Sequence, residues 1–424
     1  MRHAIDVLRI LSNPRILRAP LRQYREVARC GRKGTLRERL AALEFLRRWL
    51  RRERFLRHRG RWVVHSFLPP FPGTAFERAF ENLLGDGRIR PLSAFVAITA
   101  DCPADCWHCS LKNRRLGKPL DREAWLDVID ALNRMGTSII GLTGGEPLTQ
   151  PYLPELVRAA KQGGAEVELF TCGIGLTREM GQSLREAGLW AMGVSLDHTT
   201  PEIVNQKRRT QVAFDAAMSA LNMARDLGFY TFINAVADRQ MVLDGEYQKL
   251  HDLARRLKIQ ELRLIEPMPC GRLTDEGHDA LLRPEEVETL RRFHRDINRR
   301  GRRPKVCAFN EVESPELFGC SAGFQHLYID PGGSVCPCDF TPLSFGNVQE
   351  EPLAEIWQRM NRAMGQPRCD CFIQAHAARI REHAEGKTFP LPPETSLRIL
   401  SELSEERLPA YYQNVTRPFG FPGS

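Results

Sequence analysis

Three observations predict an α/β fold built on a parallel sheet, open or curled into a partial barrel. From residue 94 onward, short apolar runs alternate with amphipathic helical patterns. Six such units follow one another without interruption. The residues with chemistry to offer fall just after those runs, at the C-terminal strand ends where ligands bind in such folds.

The predicted strands are Phe95–Thr99, Ser138–Thr143, Glu166–Thr171, Ala191–Leu196, Thr231–Val236 and Glu261–Ile265. Helical periodicity separates them at Arg122–Met135, Leu153–Gln162, Arg178–Ala187 and Phe214–Leu227. Upstream, residues 1–60 read as helical, with a Thr35/Glu38 capping box and an apolar stripe of Leu36, Leu40, Leu43, Leu46, Trp49 and Leu50. Phe67–Gly73 carries three prolines and cannot continue a helix, so it reads as a linker or wrapping arm. Helical spacing returns at Thr74–Leu84 and, after the sixth strand, at the connector Pro284–Asn298. The tail is proline-punctuated, with one helical patch at Ser396–Leu403. The resulting division is a basic N-terminal extension (1–93), a core (94–300), a cysteine-rich region (301–385) and a tail (386–424).

Composition narrows the class. No apolar run is long enough to span a bilayer. Arg9, Pro14, Arg15 and Arg18 break up the stretch Met1–Pro20, so a secretory signal is not expected and the predicted location is cytoplasmic. Twelve cysteines in a reducing compartment read as metal ligands rather than disulfides. The charge is uneven: residues 1–62 hold eighteen Arg and one Lys against five acids, a surplus of 14, while the whole chain carries +9. The basicity therefore belongs to the extension.

The first cysteine group is Cys102-Pro-Ala-Asp-Cys106-Trp-His-Cys109. Three thiolates at this spacing can wrap one corner of an iron–sulfur cube, which needs four ligands when fully protein-bound. Three leave one iron open. A zinc site with His108 as fourth ligand fits the spacing alone equally well. Gly144-Gly145-Glu146-Pro147 follows the second strand, and Ser195-Leu-Asp197 ends the fourth.

CxxxCxxC after the first strand with Gly-Gly-Glu-Pro after the second resembles the radical S-adenosylmethionine (SAM) superfamily over residues 94–272. The resemblance implies a partial (βα)6 TIM-type barrel in which Cys102, Cys106 and Cys109 hold a 4Fe-4S cluster and SAM chelates the fourth iron. It implies that Gly144, Gly145 and Glu146, with Pro147 closing the turn, meet the SAM amino group mostly through backbone carbonyls. His108 takes the place of an aromatic residue near the adenine. Ser195 and Asp197 match a position that contacts ribose or carboxylate. Asn234 and Arg208 or Arg209 are weaker SAM contacts. Many relatives carry Thr-Asn-Gly after the third strand; Thr171-Cys172-Gly173 stands here, and Cys172 reads as a neutral replacement of asparagine ahead of the alternative, a substrate-facing thiol.

The late cysteines Cys320, Cys336, Cys338, Cys369 and Cys371 surround a strand–Pro-Gly-Gly–strand hairpin beginning at Leu327–Ile329. With Gly333, Phe345–Val348 and Leu353–Trp357, the segment resembles the SPASM or twitch extension of the same superfamily, which holds auxiliary iron–sulfur clusters. Full SPASM domains carry seven cysteines; five here are enough for one cluster. The implied set is Cys320, Cys338, Cys369 and Cys371, with Cys336 as a substitute and Cys307 in reserve. A zinc knuckle is the alternative.

The expected activity is reductive SAM cleavage to a 5′-deoxyadenosyl radical that abstracts hydrogen from a peptide, lipid or small metabolite. Its partners would be that substrate and a reduced flavodoxin or ferredoxin-like donor. The catalytic residues toward the substrate are not legible. A non-catalytic iron–sulfur carrier or assembly protein is the rival, needing clusters but neither Gly144–Pro147 nor Ser195–Asp197. For the basic helix, the readings are a face packed on the barrel with arginines in solvent, or peripheral contact with an anionic membrane through Leu40, Leu43 and Trp49. Nucleic acid ranks below both, because no aromatic-interleaved binding module accompanies the arginines.

Overall fold

A computed structural model describes residues 36–53, 55–83, 90–274, 278–301, 303–384, 388–404 and 407–414. Helix α1 (Leu36–Arg52) leads into a hairpin of β1 (Leu56–His58) and β2 (Arg61–Val63). The C-terminal half of the leucine stripe faces inward. Leu46, Trp49 and Leu50 are buried against Phe71, Phe76, Phe80, Phe324 and Tyr411. This corrects the reading of Trp49 as a membrane-inserting residue, since its ring already packs edge-on against Phe318 and His65. Thr35 and the side chains of Leu36, Leu40 and Leu43 lie outside the described residues. Among the described residues no helix is long and apolar enough to cross a membrane.

The Phe67–Gly73 arm wraps back on the hairpin, where Trp62 and Phe71 exchange both backbone hydrogen bonds. Helix α2 (Thr74–Leu83) follows. The core then alternates as predicted: β3 (Ser93–Ala97), α3 (Arg122–Met135), β4 (Ile139–Thr143), α4 (Leu153–Gln162), β5 (Glu166–Thr171), α5 (Arg178–Ala187), β6 (Ala191–Ser195), α6 (Pro201–Arg208), α7 (Ala213–Asp226), β7 (Tyr230–Val236), α8 (Arg239–Leu243), α9 (Glu246–Arg256) and β8 (Glu261–Ile265). These strands pair in parallel in chain order. Their side chains are almost all buried, as expected where helices cover a parallel sheet.

The sheet has nine strands, and the last three come from residues beyond the six predicted units. After α10 (Pro284–Arg300), β9 (Lys305–Ala308) adds to β8. At the opposite edge β10 (His326–Ile329) pairs in parallel with β3, and β11 (Val335–Cys336) pairs antiparallel with β10. The order runs β11-β10-β3-β4-β5-β6-β7-β8-β9 without closing into a ring, a partial barrel. Helices α11 (Phe309–Val312), α12 (Leu353–Met364), α13 (Phe372–Glu382), α14 (Pro393–Ser401) and α15 (Ala410–Asn414) complete the described chain.

Strand β9 escaped notice because it is four residues long and opens on a lysine. Lys305 is nevertheless buried, its ammonium 2.9 Å from the Glu53 carboxylate at the end of α1. Glu53 also binds His294 (2.6 Å) and Asn298 (3.0 Å). A buried charge with such partners is tolerated, but the partner lies 252 residues away. The extension closes the N-terminal end of the barrel in the same way elsewhere. Arg61 meets Glu166 at 2.5 Å, and the Ser66 amide donates to Glu261 at 3.0 Å.

Candidate active site

The C-terminal ends of the core strands open into one cavity of about 460 Å3. Cys102, Cys106 and Cys109 line it, carried on the loop that leaves β3. The loop is held from two sides. The Asp105 and Trp107 amides donate to the carbonyls of Arg208 (3.0 Å) and Lys207 (3.0 Å) at the end of α6, and the Arg272 amide donates to the Cys109 carbonyl (3.2 Å). Asp105, inside the motif, gathers Arg209, Lys112 and Arg272 around its carboxylate. Arg209 is thus spent on the loop and points away from the cavity. Burial pushes the Cys102 thiol up to about 11, so holding a metal there means displacing a proton that the bare pocket retains.

The glycine pair does something that sequence reading did not anticipate. The Gly145 amide donates to the Thr99 carbonyl (2.7 Å) and the Glu146 amide to the Asp101 carbonyl (2.7 Å). A Cβ on Gly144 would run into the Thr99 carbonyl oxygen, and one on Gly145 into that of Asp101. The absence of side chains therefore lets the β4 turn press against the backbone that carries Cys102. The Glu146 carboxylate is fully buried and turned away from the cavity. It accepts from Thr171 Oγ1 (2.7 Å), the Cys172 amide (2.7 Å) and the Leu148 amide (3.1 Å), tying β4 to β5. Pro147 is buried behind it. Cys172 does reach the cavity wall, and burial pushes its thiol well up, as for an inert cysteine.

On the far wall stand Ser195, Asn234, Arg208 and His108. The Asn234 Oδ1, both His108 ring nitrogens and the Arg208 Nε are buried without a hydrogen-bond partner. Burial pushes the His108 imidazole down to about 4, so near neutral pH it offers one donor and one acceptor. Asp197 does not face the cavity, contrary to its expected contact with SAM. It is fully buried, accepting from the Val236 amide (3.0 Å) and from Arg208 (2.5 Å). Arg208 in turn reaches Cys106 Sγ at 3.6 Å. Burial works against the charge of Asp197, but Arg208 together with His108, the Val236 amide and Lys207 outweighs it and holds the carboxyl below its usual range.

Replacing Asp197 by asparagine is expected to cost about 3–5 kcal/mol at pH 7, because Arg208 stays buried and charged without its partner. The pair's contribution is complete above the unfolded carboxylate pKa of about 3.9 and is lost as pH falls through the lower folded value. Urea midpoints of Asp197→Asn and the unsubstituted chain should therefore stay apart from pH 7 down to about pH 4 and lie closer together at about pH 2.5 than at pH 7. An equal gap at both pH values would show that charge is not the cause.

The near wall comes from residues that sequence reading missed: Arg114, Arg263, Glu266, Met268, Tyr328, Asp339 and Phe340. Arg114 lies over the Tyr328 ring (5.1 Å), donates to the Asp339 carbonyl (2.6 Å) and meets Cys336 Sγ at 3.9 Å. Cys336 is thereby placed beside the first cysteine loop, apart from the other late thiols. Arg263 is sandwiched between Phe67 and Phe232 at 4.1 and 4.2 Å. The Asp339 Oδ1 is buried without a hydrogen-bond partner, 3.6 Å from His326 Nε2. The adjacency of Asp339 to Cys338 is its one signal in the sequence.

A second cavity of about 80 Å3 lies behind the wall of Phe67, Phe95, Phe309, Asp339 and Phe340, which the two cavities share. Cys320, Cys338 and Cys371 line it, and the thiols of Cys320 and Cys371 hydrogen-bond each other. Cys369 is not on this wall; its thiol donates to the Arg407 carbonyl at 3.0 Å. Cys307 is buried on β9, also away from the group. Among the described residues, no three His, Cys, Asp or Glu side chains converge closely enough to hold a single metal ion.

A three-thiol loop above a parallel sheet, facing a largely apolar cavity with a glycine turn at its base, is the arrangement expected of an iron–sulfur enzyme that uses SAM. Residues 96–257 match the radical SAM superfamily, and residues 320–380 match the SPASM iron–sulfur cluster-binding domain. The chain belongs to the radical SAM superfamily and carries a SPASM domain. It is 28% identical over 283 residues to the PqqA peptide cyclase of Rhizobium meliloti, covering 64% of this chain and 74% of that one. It is 27% identical over 286 residues to the AdoMet-dependent heme synthase of Methanosarcina barkeri, covering 62% and 80%. Streptococcus suis SuiB bound to SAM shares the fold with a TM-score of 0.53 at 16% identity, over 66% of this chain and 70% of that one. The first domain implies a 4Fe-4S cluster with SAM, and the SPASM domain implies auxiliary iron–sulfur chemistry. The residues present fit both: three thiols at each cavity, and unsatisfied polar atoms on His108 and Asn234 facing the larger one.

Proposed function

We propose that Cys102, Cys106 and Cys109 hold the catalytic cluster, and that SAM lies between Gly144–Gly145 and the wall of Ser195, Asn234 and His108. The substrate then takes the opposite side, against Tyr328, Asp339, Phe340 and Arg114. The observation that carries this reading is that all these groups line one 460 Å3 cavity, although they come from residues 102 to 340. When bound and reduced by a flavodoxin or ferredoxin-like donor, the cluster supplies the electron that splits SAM into methionine and a 5′-deoxyadenosyl radical, which abstracts hydrogen from the substrate.

The chain's own contribution is positional. Asp197 fixes Arg208, whose guanidinium offsets thiolate charge at Cys106. His108 and Asn234 offer hydrogen bonds that no protein group takes up. Phe67, Phe95, Phe170, Phe309 and Phe340 keep water from the reacting carbon. A bare electron carrier would have no use for such a cavity. The substrate class is left open, because the two curated relatives are a peptide cyclase and a heme synthase.

Anaerobic reconstitution with SAM and dithionite tests the reading. Equal amounts of methionine and 5′-deoxyadenosine are expected, with deuterium entering the 5′ carbon when a labelled substrate is supplied. Iron incorporation without any SAM cleavage would overturn the enzymatic assignment.

A further inference from the structure

The second cavity brings together three thiols, whereas a 4Fe-4S cluster fully ligated by protein takes four ligands. The fifth late cysteine, Cys336, is drawn to Arg114 on the other side of the hairpin. Cys369, one residue from Cys371, donates its thiol to the Arg407 carbonyl instead. The fourth position therefore falls to another side chain on the cavity wall.

Four ionisable or imidazole groups share that wall: Glu168, Glu313, His326 and Asp339. Glu168 is committed to Arg263 at 3.3 Å inside the barrel. His326 engages Ser93 Oγ through Nδ1 (2.8 Å), and its Nε2 faces Asp339. Asp339 belongs equally to the large cavity, which leaves it available to the substrate. Glu313 differs from all three. It lines the small cavity and not the large one. Its carboxylate is held there by the hydroxyl of Ser321, the residue next to Cys320, at 2.8 Å. It follows α11 directly, so the core strand β9 and that short helix carry it to the SPASM cysteines. Arg368 is buried on the same side, its carbonyl accepting from the Cys320 amide (2.8 Å), and its positive charge acts on the Cys320 thiol. It can offset the negative charge of three thiolates and a carboxylate.

We propose that Cys320, Cys338 and Cys371 hold the auxiliary cluster and that Glu313, not Cys369, is its fourth ligand. A carboxylate is a harder ligand than a thiolate and binds iron less tightly in a sulfur-rich site. One iron of the auxiliary cluster is then distinct from the other three and more easily lost. The proposal rests on the SPASM assignment and not on SAM cleavage. Iron counting and spectroscopy test it without any turnover, so its failure and that of the proposed enzymatic function can be told apart.

The full-length, anaerobically reconstituted protein should hold about eight irons if both clusters are cubanes. With SAM added and no reductant, its Mössbauer spectrum should show two irons with the higher isomer shift of oxygen or nitrogen coordination, one in each cluster. This measurement needs no variant. Ferricyanide takes the open iron of the first cluster in every form, leaving about seven in the unsubstituted chain; Glu313→Gln should drop further to about six, as the auxiliary cluster also gives up one electron and one ferrous ion to become a three-iron species. Glu313→Cys should keep about seven irons and resist that further loss, while Cys369→Ala should behave as the unsubstituted chain. The proposal is overturned if only one iron shows the shifted signal. It is also overturned if Cys369→Ala loses the iron while Glu313→Gln keeps it, or if Asp339→Asn loses it in place of Glu313→Gln.

Discussion

Replacing Cys106 by alanine should abolish formation of 5′-deoxyadenosine and reduce bound iron from about eight to about four atoms per chain. Cys106 is the middle thiol of the loop, and Arg208 reaches its sulfur at 3.6 Å. Two remaining thiols cannot retain a cube whose fourth iron is already left to SAM. The auxiliary site should survive, because Phe67, Phe95, Phe309, Asp339 and Phe340 stand between the two cavities and Cys320, Cys338 and Cys371 are carried by the later segment, not by the first loop. The variant should therefore stay folded and brown, with iron but without SAM cleavage. Undiminished 5′-deoxyadenosine would remove the loop from the chemistry. Complete loss of iron in a folded variant would instead argue against a second cluster. Serine in place of Cys106 should behave nearly as badly, since an alkoxide is a poor replacement for a thiolate on iron.

The parallel core was legible because its signals are local. Each strand is a short apolar run and each helix an amphipathic one; Glu166–Thr171, Arg122–Met135 and Arg178–Ala187 have in the structure the limits their periodicity predicts. The first cysteine motif was legible for the same reason, being eight residues of contiguous chain. What stayed hidden depends on distant partners. Lys305 can begin a buried strand because Glu53 meets it, and the buried carboxylates of Glu166 and Glu261 at the barrel's end draw on Arg61 and Ser66 of the extension as well as on Lys161 and Tyr230. Asp197 looked like a ligand contact from its place at a strand end. Its geometry shows a group occupied by Arg208 and the Val236 amide. No spacing rule could separate Cys369 from Cys371, because one intervening residue turns the two thiols to different neighbours. Arg114 and Tyr328 meet across 214 residues of chain, and nothing local in either segment announces the pairing.

Alanine at Gly145 should lower SAM cleavage on the order of 100-fold while leaving most of the iron bound. The added Cβ would lie 2.7 Å from the Ala100 carbonyl oxygen and closer still to that of Asp101. Both belong to the backbone, which has no rotamer to change, so either the β4 turn or the loop carrying Cys102 must move. Relieving an overpacked contact of this kind costs about 1–3 kcal/mol. The larger effect is geometric, since displacing a reacting group by about 1 Å can cost about 100-fold in rate. The thiols ride on the loop as a unit, held also by Lys207, Arg208 and Arg272, so they can follow it and keep the cluster. The relation of the cluster to the opposite wall of Ser195 and Asn234 would not survive the shift. Gly117→Ala is the matched control: its Cβ would meet nothing nearer than the Gly332 carbonyl at 3.8 Å, and stability should change by no more than about 0.5 kcal/mol. Single-turnover 5′-deoxyadenosine formation, measured beside iron content for both variants, decides the matter. If Gly145→Ala cleaves SAM at the unsubstituted rate, backbone contact between the two loops is not what sets the cluster's position, and the glycines are needed only for the turn itself.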